Sequence, residues 1–186
     1  MKIAYEEATI KDAHDISYIG AYSWKETYLE LVPKDYLENK LKNYVNKIEK
    51  QKKIIQDKNN TIYIAKVDDK TVGFVSFGKP ENEKYKEYGY VGALYLLKDY
   101  QKYGIGKHLF KIALESLKEQ GYTKMMLECM SGNKTLDFYK KYLGEIIDTT
   151  NYPLNNGNII VKADIILFDI ENTLNEINKN NKIRIK

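Results

Sequence analysis

Hydrophobic and polar residues alternate along this chain with two different periods, and the switches between them predict its elements. Residues 2–7 alternate as a strand, and Thr9 is a residue type that caps helices, here one predicted from about Lys11 to Tyr28. Pro33 then marks the first turn of a second helix, where its missing N–H is not needed. The apolar stripe of this second helix consists of Leu37, Leu41, Tyr44, Ile48 and Ile55.

The middle of the chain alternates at the strand period. The segments TIYIAKV and TVGFVSFG are rich in β-branched residues, and the short turn DDK between them predicts a hairpin. The next segment, YGYVGALYLL, is longer and more apolar, as is typical of a strand in the centre of a sheet.

In the second half of the chain, predicted helices alternate with predicted strands. A helix is predicted from Ile105 until Gly121 ends it, followed by a strand at KMMLECM and a helix at KTLDFYKKYL. The rest, residues 145–170, predicts a strand pair around an Asn-Gly turn. The order β-α-α-β-β-β-α-β-α-β-β predicts an α/β fold with a mixed sheet, because hairpins alternate with helical crossovers.

Composition narrows the class of protein. A chain of 186 residues with 43% apolar content suits one core, so we expect a single domain over residues 1–170 and a polar tail over 171–186 that is helical or disordered. The net charge of +4 is too small for a dedicated nucleic-acid binder, and the lysine-rich KIEKQKK is diluted by acidic neighbours. An anionic small molecule is the better partner.

The cysteine content and the hydropathy of the chain indicate the cellular compartment of the protein. Cys129 is the only cysteine, so neither an intramolecular disulfide nor a cysteine-based zinc site can form, and we expect no metal. The start of the chain lacks the apolar region of a signal peptide, and no stretch is long enough to cross a bilayer. These features predict a cytoplasmic protein without a membrane partner.

The segment YQKYGIGKHLF places two glycines, Gly104 and Gly106, between the central strand and a helix. Glycines there let a ligand approach the backbone, and the helix directs its positive end at the same point, so the turn suits a phosphate. A dinucleotide fingerprint would need glycine at Leu109, and a P-loop would need glycine at Gln101 and Ser or Thr at His108. The remaining candidate is a pyrophosphate site for coenzyme A.

Three segments carry a resemblance to a known family. QKYGIG resembles the Arg/Gln-x-x-Gly-x-Gly/Ala motif of the GNAT superfamily, within a strand and loop, ALYLLKDYQKYGIGKHL, that is similar throughout. SWKETYLELVPKDYL resembles the first two helices of one branch, and GNKTLDFYKKYLGE resembles its Asn-x-(Ala/Ser)-x-x-Phe-Tyr-x-x-x-Gly-Gly segment. The resemblance extends to about Ile170. It implies a mixed, mostly antiparallel sheet flanked by helices.

The resemblance also implies an activity and a set of site residues. The activity is transfer of an acetyl group from acetyl-CoA to an amine, which is a small molecule, a polyamine or a protein amine. Asn133 would bond the pantetheine amide, Tyr139 would be the general acid, and a strand N–H near Leu96 would stabilise the oxyanion. The pantetheine would run along Leu94, Tyr95 and Leu96. The pyrophosphate would be held by the backbone of Gln101, Lys102, Tyr103, Gly104, Ile105, Gly106 and Lys107.

The chain departs from the family pattern at the general base. Many relatives have a glutamate at the strand position that Tyr90 holds here, so Glu87, Glu26 or a chain of waters must replace it, and the sequence does not choose among them. The missing glutamate keeps open an inactive module that binds coenzyme A as a sensor.

Several singled-out residues also have simpler structural interpretations. Asn133 could cap its helix, Tyr139 could be a core aromatic residue, and Cys129 is expected to be a buried strand residue without catalytic work. The seventeen tyrosines are compatible with an apolar homodimer interface.

Overall fold

The structure is a computed structural model that describes residues 1–182. Within this range seven strands occur: β1 (Ile3–Glu7), β2 (Asn60–Val67), β3 (Lys70–Gly78), β4 (Gly89–Leu96), β5 (Lys124–Met130), β6 (Glu145–Leu154) and β7 (Ile159–Asp169). The same range holds six α-helices: α1 (Ala13–Thr27), α2 (Lys34–Lys42), α3 (Ile48–Gln56), α4 (Ile105–Glu119), α5 (Leu136–Lys141) and α6 (Ile170–Lys182). This mixture confirms the predicted α/β class.

The strands of the described residues form one sheet in the order β1-β2-β3-β4-β5-β7-β6. β4 and β5 pair in parallel, with α4 between them in the sequence, as a parallel crossover requires. The pairs β1–β2, β2–β3, β5–β7 and β6–β7 are antiparallel. The predicted mixed, mostly antiparallel sheet with flanking helices is therefore confirmed.

The predicted second helix is wrong in one respect, because it is two helices. α2 ends at Lys42, a turn of 3-10 helix covers Tyr44–Lys47, and α3 begins at Ile48. Asn43 leaves the helical region at φ −108° and ψ 18°, and its Nδ2 donates to the carbonyl oxygen of Asn39 at 3.0 Å. A side chain that satisfies a carbonyl in the last turn stabilises the end of a helix.

The hairpin between β2 and β3 is as predicted. Val67 pairs with Lys70, so the turn consists of Asp68 and Asp69, both at positive φ (47° and 66°). Two successive residues in the left-handed region are what a two-residue hairpin turn of type I′ needs. The N–H of Lys2 donates to Asp68 Oδ1 at 2.8 Å, which fixes this turn against the start of the chain.

The described chain divides into two compact units. The first consists of Met1–Gly78 and Gly92–Phe110, and the second of Lys79–Val91 and the chain from Lys111 onward. β4 and α4 each contribute residues to both units. The single domain expected over residues 1–170 stays a prediction.

The core of the first unit lies between α1 and the hairpin strands. Ile16 and Ile19 of α1 pack with Ile62, Ile64 and Phe74, all nearly inaccessible to solvent, and Tyr95 of β4 packs against this cluster. A capping box precedes α1: the Thr9 hydroxyl accepts from the N–H of Lys11, and the Asp12 carboxylate accepts from the N–H of Thr9.

The core of the second unit holds the start of β4 against α4. A Cβ on Gly89 would lie 2.9 Å from the Leu117 side chain, so only glycine permits this approach. Because side chains alternate along a strand, Tyr90 faces the other side, where it packs with Tyr85, Met126 and Ile165.

The C-terminal tail is helical as far as it is described. Asp169 accepts a hydrogen bond from the N–H of Asn172 at 2.9 Å, and Thr173 and Ile177 of α6 are fully buried. Residues 183–186 of the predicted tail lie outside the described residues. No helix within residues 1–182 has the length and apolar content to cross a membrane.

Candidate active site

Hydrogen bonds to the neighbouring strand and to the end of β4 hold the turn that follows the central strand. The N–H of Leu97 donates to the carbonyl of Val72 at 3.0 Å, and one turn of 3-10 helix follows at Lys98–Tyr100. The Gln101 side chain then folds back, so that its Nε2 donates to the Leu96 carbonyl at 3.3 Å. Gln101, predicted to face a pyrophosphate, therefore joins the turn to the end of β4.

The glycine turn has the conformation that its sequence predicts for close ligand approach. Gly104 has φ +85°, and no atom lies within 4 Å of the position that a Cβ would occupy. Lys102, a residue with a side chain, also takes positive φ, at 70°. Left-handed residues other than glycine are strained by about 1–2 kcal/mol, and such strain concentrates at functional sites.

α4 starts directly at this turn. The N–H of His108 donates to the Gly104 carbonyl at 3.0 Å, which is the first helical bond of α4. The N–H groups of a first helical turn have no intrahelical partner and attract anions. At Gly106 an added Cβ would meet only the Leu96 side chain, at 3.8 Å, so both glycines leave the backbone accessible.

The end of β4 has two different faces. Leu96 faces Gly106 at the start of α4. Tyr95 faces α1: its ring lies 5.7 Å from that of Phe74, and its phenol oxygen accepts a hydrogen bond from Trp24 Nε1 at 2.7 Å. Gly73 on the neighbouring strand permits this packing, since a Cβ there would lie 2.7 Å from the Tyr95 carbonyl oxygen.

The residues expected around the thioester belong to the second unit. Tyr139 of α5 is buried, with 7% of its surface exposed, and its ring stacks edge-on to Phe168 at 6.1 Å between centroids. Asn133 is also buried, and its Oδ1 accepts from the N–H of Thr135 at 2.9 Å, at the start of the turn that leads into α5. Asn133 therefore stabilises the turn before α5, whereas the N-cap position of the helix is Thr135 and has no side-chain capping bond.

Cys129 is a buried strand residue, as expected. Burial, together with the nearby Asp164 carboxylate, raises the pKa of its thiol to about 12, although a hydrogen bond from the Asn133 side chain acts in the opposite direction. A thiol with such a pKa is protonated and unreactive at neutral pH.

The two base candidates from the sequence lie in different places. Glu26 is half-buried in α1 of the first unit, whereas Glu87 is exposed just before β4 in the second unit.

A third candidate carboxylate, Glu128 of β5, was not predicted from the sequence. Tyr90 of β4 pairs with Met126, and Glu128 follows two residues later, so its side chain lies on the same face as Tyr90. The last β4–β5 pair joins Val91 to Leu127, so Glu128 is the first residue beyond it. The Glu128 side chain stays accessible to solvent, and its partial burial raises the pKa of the carboxyl above its ordinary value.

Metal ligation has no structural basis in residues 1–182, where no three His, Cys, Asp or Glu side chains are grouped closely enough to hold an ion.

Known proteins resemble this chain over most of its length. Residues 21–144 match the model of the acetyltransferase (GNAT) family. The uncharacterised N-acetyltransferase YuaI of Bacillus subtilis is 29% identical over 153 residues, which cover 82% of this chain and 86% of YuaI.

Solved structures share the fold at low identity. The PaiA N-acetyltransferase of Thermoplasma acidophilum, crystallised with coenzyme A, superposes with a TM-score of 0.72 at 20% identity, over 91% of this chain and 99% of that one. A GCN5-related N-acetyltransferase of Rhodopseudomonas palustris gives a TM-score of 0.74 at 14% identity, over 91% and 96%. The motif-based assignment is confirmed: the chain belongs to the acetyltransferase (GNAT) family and is an acyltransferase.

Proposed function

We propose that this protein transfers an acetyl group from acetyl-CoA to a primary amine, by direct attack of the amine within a ternary complex. The observation that carries the proposal is the turn after β4, where Gly104 at φ +85° leaves open backbone at the start of α4. That turn fits the pyrophosphate of acetyl-CoA. PaiA, which shares the fold, was crystallised with coenzyme A. Backbone groups of residues 101–107 would hold the pyrophosphate.

The strand supplies the next part of the site. Leu94, Tyr95 and Leu96 end β4, and the pantetheine amides can pair with strand backbone as an additional strand does. An N–H in this segment, at Leu96 or a neighbour, would stabilise the oxyanion that forms when an amine attacks the thioester. Asn133 would bond the pantetheine through its side-chain amide nitrogen, since its Oδ1 accepts from the N–H of Thr135.

The amine must lose a proton before it attacks. A lysine-like amine with a pKa near 10.4 is neutral in only about one of 10³ molecules at pH 7, so a base is needed. We assign this role to Glu128, because its raised pKa brings it closer to the operating pH and it shares a face with Tyr90, the position of the usual family base. Glu26 and Glu87 are the alternatives that the same experiments test.

Collapse of the intermediate breaks the carbon–sulfur bond and releases a thiolate. We assign the proton that it takes up to the Tyr139 phenol, which α5 holds in a buried position. No covalent enzyme intermediate is required, in agreement with the high pKa of the Cys129 thiol.

The compartment and assembly stay predictions. A cytoplasmic location is proposed from the single cysteine, whose thiol suits a reducing environment. The homodimer is proposed from the tyrosine content. Such an interface would cover exposed apolar side chains just after α5, in β6 and in β7: Leu143, Ile146, Ile147 and Ile160.

Turnover separates the enzyme from a coenzyme A sensor. Acetyl-CoA is mixed with the protein and a panel of amines, and the release of free thiol is followed over time. The proposal expects steady release with at least one amine, whereas saturable binding of acetyl-CoA without thiol release with any amine indicates the sensor. Acetyl-CoA at a hundred times its Kd should also stabilise the fold by about 2.7 kcal/mol, and NAD and ATP should not.

A further inference from the structure

Aromatic side chains gather around the end of β4 in the first unit. Trp24 of α1 donates its indole N–H to the phenol of Tyr95, and its ring lies 4.8 Å from that of Tyr28 and 6.5 Å from that of Tyr36. We call these four residues the aromatic cluster. Tyr95 lies between Leu94 and Leu96, so the cluster adjoins the strand segment proposed for the pantetheine.

A lysine ammonium lies against this cluster. Lys40 of α2 is half-buried, and its Nζ is 4.2 Å from the centroid of the Trp24 ring. Burial lowers the pKa of Lys40, and the charges of Lys47 and Lys50 lower it further. Within residues 1–182, no carboxylate lies within 4.0 Å of this ammonium.

This arrangement is electrostatically incomplete. A cation on an indole face gains about 0.5–2 kcal/mol, but burying an ammonium without a counter-charge costs free energy that this contact offsets only in part. The neighbouring lysines add repulsion. By contrast, Lys34 on the same helix is exposed and has Glu38 as its partner at 3.6 Å. Lys40 thus presents a positive charge that an incoming anion would neutralise.

We propose that Lys40 and the aromatic cluster bind a carboxylate of the acceptor, so that the enzyme acetylates amines that also carry a carboxylate. The inference rests on the proposed function and specifies its substrate class. One ammonium matches one carboxylate in charge, and the aromatic rings cover the apolar part of the acceptor. Polyamines are disfavoured, because a second ammonium would be repelled by Lys40 and its lysine neighbours.

Matched pairs of acceptors test the proposal. Thiol release from acetyl-CoA is compared for 4-aminobutyrate and butylamine, and for L-methionine and L-methioninamide. We expect wild type to prefer the carboxylated member by about tenfold or more in kcat/KM, mainly through KM. Lys40→Met should abolish the preference, Lys40→Arg should keep most of it, and Lys34→Met is the control that leaves it unchanged.

A binding measurement keeps the test independent of turnover. Trp24 is the only tryptophan, so its fluorescence reports on this site directly. With acetyl-CoA replaced by CoA, 4-aminobutyrate should change the Trp24 emission saturably in wild type and not in Lys40→Met, while butylamine should have little effect.

The outcomes separate the two claims. If no amine is acetylated but the carboxylate-specific fluorescence change is present, the proposed function fails and the carboxylate site stands. If amines are acetylated, equal or faster transfer to the members that lack the carboxylate overturns the carboxylate site. A preference that Lys40→Met retains overturns it as well, and so does a fluorescence change with butylamine alone.

Discussion

Gly104 and Gly121 share one backbone conformation at two different places. Their φ angles are +85° and +93°, and neither has an atom within 4 Å of the position of an added Cβ. Gly104 precedes α4 in the proposed pyrophosphate turn, whereas Gly121 follows the end of the same helix. The pair therefore separates the conformational cost of losing glycine from the effect on a ligand.

We predict that Gly104→Ala and Gly121→Ala destabilise the protein to a similar extent, by about 1–2 kcal/mol, because both force a side chain into the left-handed region. Only Gly104→Ala should weaken CoA binding, by about tenfold or more, because its Cβ and altered backbone disturb the anion site. Titration calorimetry gives the Kd and thermal unfolding gives the stability. Equal Kd values for both variants would make the turn purely structural.

We predict that Glu128→Gln lowers kcat by about 10²- to 10⁴-fold, the usual scale of a lost general base. Since the base acts when ionised, kcat/KM of wild type should fall at acidic pH, with an apparent pKa above that of ordinary glutamate, and the variant should lack this limb. The controls are Glu26→Gln and Glu87→Gln. If either of these removes the limb and Glu128→Gln does not, the base is assigned to the wrong residue.

The stability of Glu128→Gln should show that its loss of activity is not a folding defect. Burial raises the pKa of Glu128, so the folded protein binds this proton more tightly than the unfolded chain does. The stability that the protonated carboxyl contributes is fully present below the ordinary glutamate pKa and is lost as the pH rises through the raised value. At neutral pH the variant should therefore be as stable as wild type or more so, measured by denaturant unfolding.

Features set by neighbouring residues were accessible from the sequence. Thr9 and Asp12 form their capping box within one turn, and Gly104 takes its positive φ directly before the helix that the sequence predicts. The break between α2 and α3 was not accessible, because the apolar stripe keeps its helical spacing across Asn43. Only the structure shows that the Asn43 side chain stabilises a helix end there.

Site features that depend on contacts between distant parts of the chain were the hardest to predict from the sequence. Glu128 lies among buried residues of β5, and its relation to Tyr90 depends on the pairing of two strands that are separated by α4. The contact between Lys40 and Trp24 likewise depends on how α2 packs against α1. Periodicity assigns each residue to an element, but the register between elements comes from packing.

We predict that Cys129 is unreactive in the folded protein and dispensable for turnover. Alkylation by iodoacetamide at pH 8 should be slow until denaturant is added, since the thiol is buried and its pKa is about 12. Cys129→Ala should keep kcat within about twofold. Because the folded pKa is raised, the stability linked to this thiol is present below the ordinary cysteine pKa and is lost as the pH rises toward 12. The variant should lack that alkaline decline in denaturant unfolding.

The Tyr139→Phe variant tests the catalytic mechanism rather than the binding of acetyl-CoA. Tyr139→Phe removes one hydroxyl and keeps the ring that packs edge-on to Phe168, so stability should change by at most about 1 kcal/mol and the Kd for acetyl-CoA should barely move. If the phenol protonates the leaving thiolate, kcat should fall by about 10²- to 10⁴-fold. We expect the lower end of this range, because the thiolate of a thiol with a pKa near 8.5 leaves partly unaided.

Tyr142→Phe is the matched control, since Tyr142 is equally buried where α5 ends. The measurement is kcat at saturating acetyl-CoA across pH, and a loss shared by both variants or a change within twofold for Tyr139→Phe would assign the acid to another group.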